Sequence, residues 1–292
     1  MTAPADARRR FAARIQALDE TGALAEAALW IAAEEYPDLD VSVWLARLDA
    51  LGARAREAVT RDLDADRATD ALNRLLFEDY GLRGNERDYY DPRNSFLHEV
   101  LERRLGIPIT LSVIYMDVGA RAGITVHGVG LPGHFVVRLE RGGAAHLLDP
   151  FHGGRRLTED DCRGLVERLS GGQLRLDPSH LHAVTPHTIL IRMLRNLKGA
   201  YVARSDFGRA RAAVDRILLL APDALGELRD RGGLAARLGD ASAAIRDWET
   251  YLRQCSDAPD AEAVRQRLRI LRQALVRSTD MAGRNAAGPR AP

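Results

Sequence analysis

The sequence is poor in cysteine, and its two cysteines exclude a disulfide framework. Cys162 and Cys255 lie far apart, and neither belongs to a Cys-x-x-Cys pair or to a set with metal-ligand spacing. Such cysteine usage is typical of a reducing compartment inside the cell. We therefore expect a cytoplasmic protein.

The chain also lacks a long apolar run and an excess of charge of either sign. No stretch approaches the roughly 18 uninterrupted apolar residues of a membrane helix, and no apolar run follows the basic residues 8–10 to suggest a signal peptide. Forty-two basic residues balance 41 acidic ones, which leaves a formal net charge of +1. Because no overall field attracts nucleic acid or an anionic membrane, we expect neither as a partner.

Helical periodicity is the main signal in the first 80 residues. Apolar residues recur there at helical spacing, and turn signals at 21–22, 37–38 and 62–66 divide the stretch into four helices. Residues 80–92 are rich in Gly, Asn, Asp and Tyr and show no period, so we expect a loop.

Helices and then strands follow this loop. Pro108 suits the first turn of a helix, and Gly123 suits the position just after its end. Valine-rich runs predict strands, and Arg141-Gly-Gly between the last two predicts an antiparallel hairpin. The predicted elements are helices over 94–104 and 108–122 and strands over 125–131, 134–140 and 145–148. Helices followed by strands place the fold in the α+β class.

A repeat is visible beyond Pro186, where the pattern returns to helix. The residues that match at a period of 34 are Asp206 and Asp240, Ala210 and Ala244, and Leu218 and Leu252. This period resembles that of tetratricopeptide repeats, in which each helix pair buries its apolar face by stacking on a neighbour. The alternative is a plain helical bundle rich in Ala and Leu.

These patterns predict four segments along the chain. They are an N-terminal helical region (1–80), an α+β core (81–184), tetratricopeptide-like helical repeats (185–277) and a disordered tail (278–292).

The most informative motifs lie between residues 131 and 154. Leu-Pro-Gly-His-Phe places His134 at the start of one strand, and Leu-Leu-Asp-Pro-Phe places Asp149 at the end of the next. Across a hairpin this spacing allows the two side chains to meet. A histidine oriented by an aspartate is the base of a Cys-His-Asp catalytic triad.

The chain resembles the transglutaminase-like superfamily, and within it the bacterial SirB-type branch with C-terminal tetratricopeptide repeats. The resemblance rests on Arg104-Leu-Gly-Ile-Pro, on Pro-Gly-His-Phe and on Asp-Pro-Phe-His-Gly-Gly. It implies a papain-like core, and it places the nucleophilic cysteine of active members at Pro108. Proline cannot be a nucleophile, and neither cysteine of this chain lies where it could replace one.

Two readings of the site remain open. In the first, His134 and Asp149 are a vestigial structural pair in a non-catalytic binding or scaffold module, whose repeats bind a protein or peptide partner. In the second, the protein is an amide-bond hydrolase or acyl-transferase with His134 as base, Asp149 as its orienter, and Thr110 or a water as nucleophile. Thr110 has a structural alternative, in which its hydroxyl satisfies a backbone amide at the helix start. The sequence favours the non-catalytic reading.

Several further residues complete the predicted site. We expect the cleft beside the pair to be lined by Asn94, His98, Pro108, Gly133 and Phe135, although Asn94 also suits a helix cap. His and Asp side chains are ligands of zinc, but the spacing follows no known zinc pattern in the candidate cluster of His134, His146, Asp149 and His152. We expect neither a metal nor a cofactor.

Overall fold

Four helices occupy the N-terminal part of the chain, as the sequence predicts. The computed structural model describes residues 3–60 and 62–286. Asp40 and Asp64 cap the third and fourth helices by accepting backbone hydrogen bonds at 2.9 and 2.8 Å. The helices are α1 (Pro4–Arg14), α2 (Ala23–Ala33), α3 (Val41–Ala58) and α4 (Ala65–Asn73), and α4 continues as a π-helical turn over Arg74–Asp79.

The next part combines two helices with a short parallel strand pair. Pro108 is the first residue of α6, and Gly123 follows its end with a φ of 77°, as the sequence predicts. The region predicted as a loop contains one strand of the pair, which two residues are too short to signal. The elements are β1 (Arg83–Gly84), a 3₁₀ turn (Pro92–Ser95), α5 (Leu97–Arg103), β2 (Leu105–Gly106) and α6 (Pro108–Arg121).

A four-stranded antiparallel sheet follows in the order β3-β4-β5-β6. Val137 pairs with Leu148 across the predicted hairpin. The last strand was not predicted, because three residues show no alternation. Apolar side chains of the sheet pack against α7, which follows it. The elements are β3 (Thr125–Val129), β4 (Val136–Arg141), β5 (Ala144–Asp149), β6 (Arg155–Leu157) and α7 (Glu159–Ser170).

The chain divides into two units, Met1–Asn196 and Leu197–Pro292. The predicted division at residue 80 is not a division between units, because α2 and α3 pack on α5 and α6 and share their core. The first unit ends at residue 196 rather than at the predicted boundary of 184, because part of a helix beyond 184 also packs on this unit. The first half of α8 (Pro186–Ala203) packs on the sheet, where Ile189 contacts the position of Gly128.

The second unit continues with helices that keep the predicted period. Helices α9 and α11 begin and end 34 residues apart, and Asp206 and Asp240 cap them in the same way. The elements are α9 (Phe207–Leu220), α10 (Leu225–Arg237), α11 (Ala241–Gln254) and α12 (Ala261–Ala286). The sequence predicts a disordered tail from 278, whereas α12 continues through 278–286, where no proline interrupts it. The rest of that tail lies outside the described residues.

The fold belongs to the α+β class, as the sequence predicts. It has a helical N-terminal layer, a core with a small sheet and C-terminal helical repeats. None of the helices in the described part of the chain is long and apolar enough to span a membrane.

Candidate functional site

The structure brings His134 and Asp149 into contact. Nε2 of His134 lies 3.0 and 3.1 Å from the two carboxylate oxygens of Asp149. Both side chains are buried, with 5% and 1% of their surfaces exposed. The other ring nitrogen, Nδ1, makes no hydrogen bond to any residue that the structure describes. The pair therefore has the geometry of a base and its orienting carboxylate.

The turn before β4 fixes the position of His134. Gly133 has a φ of 75°, which glycine adopts without strain. Arg192 of α8 donates hydrogen bonds to the carbonyl oxygens of Leu131 and His134 at 2.8 and 2.5 Å. Its guanidinium also lies 5.4 Å from the ring centroid of Phe135. A single arginine of α8 thus holds both ends of the turn.

A second turn fixes Asp149. Its carboxylate accepts a hydrogen bond from the backbone N–H of Phe151 at 3.1 Å, and its carbonyl accepts one from Gly154 at 2.8 Å. Gly154 has a φ of 74°, and a Cβ there would collide with the amide of Asn73, which donates a hydrogen bond to the Gly154 carbonyl at 2.9 Å. The Asp-Pro-Phe-His-Gly-Gly motif is therefore a compact turn anchored to α4.

His152 is the third hydrogen-bond donor to the Asp149 carboxylate, after His134 and the Phe151 N–H. Nδ1 of His152 lies 2.7 Å from Asp149 Oδ2, and the His152 ring stacks near that of His134, with centroids 6.0 Å apart. Burial opposes ionisation of Asp149. Hydrogen bonds from His134 and His152 outweigh that effect, so the pKa of the Asp149 carboxyl lies below its usual range. The carboxylate is therefore charged at neutral pH.

The same three side chains are the candidate metal ligands. Each of these residues offers one ligand atom, and the three atoms, from His134, Asp149 and His152, lie within 4.8 Å of one another. Two imidazoles and a carboxylate suit zinc or iron. A metal would have to replace the hydrogen bonds that both rings make to Asp149. His146, which the sequence also suggests, lies 3.2 Å from Asp66 instead.

Thr110 does not bond to His134. Its hydroxyl donates a hydrogen bond to the carbonyl of Asn94 at 2.8 Å and accepts one from the Ile107 N–H at 3.2 Å. The side chain is completely buried. These hydrogen bonds join the start of α6 to the 3₁₀ turn over Pro92–Ser95.

Neither cysteine hydrogen-bonds to His134 in the described part of the chain. Cys162 is buried in the apolar core beneath the sheet, where burial raises the pKa of its thiol to about 11. Cys255 follows α11 in the second unit. A protonated thiol in an apolar core is a poor nucleophile.

The predicted cleft residues separate into two groups. Gly133 and Phe135 flank His134, and Pro108 begins the helix α6, which packs on the 150–152 turn. Asn94 is buried and holds the preceding loop through hydrogen bonds to backbone carbonyls. His98 lies in a different cavity, against the rings of Tyr36 and Trp44.

Sequence reasoning missed two residues of the site. Arg192 comes 58 residues after His134 on a helix, and no local pattern connects the two. His152 was considered only as a metal ligand. The Asp-Pro pair at 149–150 could have indicated a turn that returns a side chain three residues later to the carboxylate.

Comparisons with known proteins agree with this fold. Residues 42–195 match a family model described as the transglutaminase-like superfamily, and residues 197–269 match one for the tetratricopeptide repeat. The chain therefore belongs to the transglutaminase-like superfamily, and the resemblance noted in the sequence is confirmed. Tetratricopeptide repeats generally mediate protein–protein interaction.

Curated relatives narrow the family further. A UPF0162 protein of Xylella fastidiosa is 40% identical over 253 residues, which cover 86% of this chain and 90% of that protein. A UPF0162 protein of Pseudomonas aeruginosa is 34% identical and covers 85% and 91%. F-box only protein 21 of Mus musculus is 35% identical over 105 residues, covering 33% of this chain and 17% of that protein. Within the superfamily, the chain is thus a member of the UPF0162 group.

Among solved structures, menin overlaps 85% of this chain and 69% of its own, at 12% identity and a TM-score of 0.40. So low a score carries no conclusion about the fold.

Proposed function

We propose that this protein is a non-catalytic interaction protein, in which a transglutaminase-like domain serves as a folded platform and the repeats engage a protein partner. One observation carries the proposal. Thr110, the candidate nucleophile of the sequence, uses its hydroxyl for the Asn94 carbonyl, and no nucleophilic side chain in the described part of the chain bonds to His134. A base without a nucleophile has nothing to activate.

The identity of the residue at the start of α6 supports the same conclusion. In active members of the superfamily this is the place of the cysteine, and here it is Pro108. Proline has no side-chain group that His134 could deprotonate. The buried His134–Asp149 pair then acts as a structural hydrogen bond within the domain.

The repeats supply the surface for a partner. Large apolar side chains are exposed on this unit, with Leu238 46% and Ile270 58% exposed. Exposed apolar side chains on helical repeats suit a bound protein segment, because covering them removes apolar surface from water. The proposed partner is therefore a protein or peptide.

A hydrolase remains the second candidate, because one specific observation favours it. The imidazole of His134 is oriented by Asp149, and its Nδ1 is without a hydrogen-bond partner among the described residues. An oriented imidazole can take a proton from water as the water attacks an amide carbonyl. In this case Asp149 would stabilise the imidazolium that forms.

Two measurements separate the candidates. The first follows hydrolysis and amine transfer on glutamine-containing peptides and simple amides, comparing the wild-type chain with His134→Ala. We expect no turnover that depends on His134. Turnover that the substitution abolishes, while circular dichroism shows an intact fold, would overturn the proposal.

The second measurement concerns the partner. A protein co-purified with the wild-type chain should be lost with Leu238→Asp and kept with His134→Ala. Leu169→Asp is the matched control, since Leu169 is 54% exposed but lies in the first unit. Equal loss with both aspartate substitutions would contradict binding through the repeats.

A further inference from the structure

His98 is a buried imidazole for which the site above has no use. It is 7% exposed, and neither of its ring nitrogens hydrogen-bonds to a residue that the structure describes. Burial lowers its pKa to about 4, so the ring is neutral at pH 7. Buried polar groups usually have a partner, and one without calls for an explanation.

His98 also lines a cavity. The cavity has a volume of about 550 Å³. Tyr36 and Trp44 stand edge-on to the imidazole, with ring centroids at 4.4 and 5.6 Å. Val43, which is 50% exposed, adds an apolar wall. The three rings pack on one another and, together with Val43, give the cavity an aromatic and apolar lining that suits a flat or cationic group.

The charge of the cavity is negative. Glu35, Asp38 and Asp40 line it, and the one basic side chain among the described residues that line it is the neutral His98. Asp40 is occupied, since it caps α3 through Ser42. Asp38 is exposed and makes no ion pair with a residue in the described ranges. An unpaired carboxylate beside aromatic rings is complementary to an organic cation.

A guanidinium already packs on one of these rings. The side chain of Arg47, outside the cavity, lies with its Cζ 4.3 Å from the Trp44 ring centroid. Guanidinium is planar, stacks on aromatic rings and carries several N–H donors, whereas ammonium is a compact and strongly hydrated charge. A guanidinium can therefore satisfy rings, a carboxylate and a neutral imidazole nitrogen together.

We propose that the cavity formed by Tyr36, Trp44, His98 and Asp38 binds an arginine side chain of a protein partner. The guanidinium stacks on the aromatic walls, donates a hydrogen bond to the imidazole and pairs with the Asp38 carboxylate. This site belongs to the first unit. It shares no residue with the repeats or with the His134–Asp149 pair, so it stands or falls independently of the function proposed above.

The test uses the full chain and three short peptides. Each has the sequence Ac-Gly-Gly-X-Gly-Gly-amide, where X is arginine, lysine or citrulline, the uncharged isostere of arginine. Binding is followed by isothermal titration and by nuclear magnetic resonance shifts of the residues around Trp44. We expect the arginine peptide to bind at least 10-fold more tightly than the citrulline peptide and at least 3-fold more tightly than the lysine peptide.

Substitutions locate the binding. Asp38→Asn should weaken binding of the arginine peptide at least 3-fold, and Trp44→Leu at least 10-fold. Asp160→Asn, at an exposed aspartate on α7, is the matched control and should leave it unchanged. Equal binding of arginine and citrulline, or no effect of Asp38→Asn, would overturn the proposal. Because Asp38 is exposed, that variant keeps the test decisive even if Trp44→Leu fails to fold.

Discussion

Replacing Asp149 by asparagine tests whether its carboxylate holds the two motif turns together. The carboxylate accepts hydrogen bonds from His134, His152 and the Phe151 N–H. Asparagine has almost the same shape, but it accepts with one oxygen and turns an NH₂ group toward a donor. The loss of one charge-assisted hydrogen bond, with a buried donor left facing another donor, costs about 2–4 kcal/mol in the free energy of unfolding.

The pH dependence of this loss has a definite sign. The folded-state pKa of Asp149 lies below the usual value, so its charge contributes stability above the unfolded-state pKa of about 3.9. That contribution disappears as the pH falls through the lower, folded-state pKa. The gap between the wild type and Asp149→Asn should therefore be widest near pH 6–7 and shrink as the pH falls below about 4.

Urea unfolding followed by tryptophan fluorescence measures this gap. Trp30 and Trp44 lie in the first unit and Trp248 in the second, so a Trp248→Phe background makes the signal report the unit that contains Asp149. Asp160→Asn is the control and should change stability by less than about 0.5 kcal/mol. A similarly small effect of Asp149→Asn at pH 7, or a gap that does not depend on pH, would refute the reasoning.

Five further substitutions have expected outcomes by thermal or urea unfolding. Gly154→Ala should cost about 2–4 kcal/mol, because its positive φ and the neighbouring amide leave no room for a Cβ. Arg192→Met should cost about 2–4 kcal/mol by removing the hydrogen bonds to two turn carbonyls. Thr110→Val should cost about 1–2 kcal/mol and leave any His134-dependent turnover unchanged, since its hydroxyl bonds only to backbone. In α10, Gly232→Ala should destabilise by about 1 kcal/mol or more, since a Cβ would meet the indole of α11 at 2.7 Å. Its neighbour Gly233 has open space, and Gly233→Ala should stabilise by about 0.5–1 kcal/mol.

The sequence allowed those parts of the fold to be predicted whose signals are local and periodic. The four N-terminal helices, the hairpin between β4 and β5 and the period of 34 between α9 and α11 all follow from spacing along the chain. The two-residue strands β1 and β2 and the three-residue β6 could not be predicted, because so short a segment has no period and pairs only through tertiary contacts.

The site divides in the same way. The contact of His134 with Asp149 was predictable, because a hairpin with a tight turn brings residues 15 apart together. The contribution of Arg192 was not, since it depends on how α8 packs on the sheet. The sequence could not predict either that His98 lies away from the His134–Asp149 pair. Helix α5 turns His98 toward α2 and α3, and the position of this side chain depends on how those helices pack.

In the non-catalytic protein that we propose, a structural role accounts for the His134–Asp149 pair. Asp149 accepts the Phe151 N–H at the start of the turn that Gly154 closes, and His134 ends the turn held by Arg192. The hydrogen bond between the two side chains therefore joins two turns at one end of the sheet. Truncating either residue leaves a buried polar group unpaired, which costs stability whether or not any reaction takes place. For this reason a loss of function in His134→Ala is informative about catalysis only when stability is measured on the same variant.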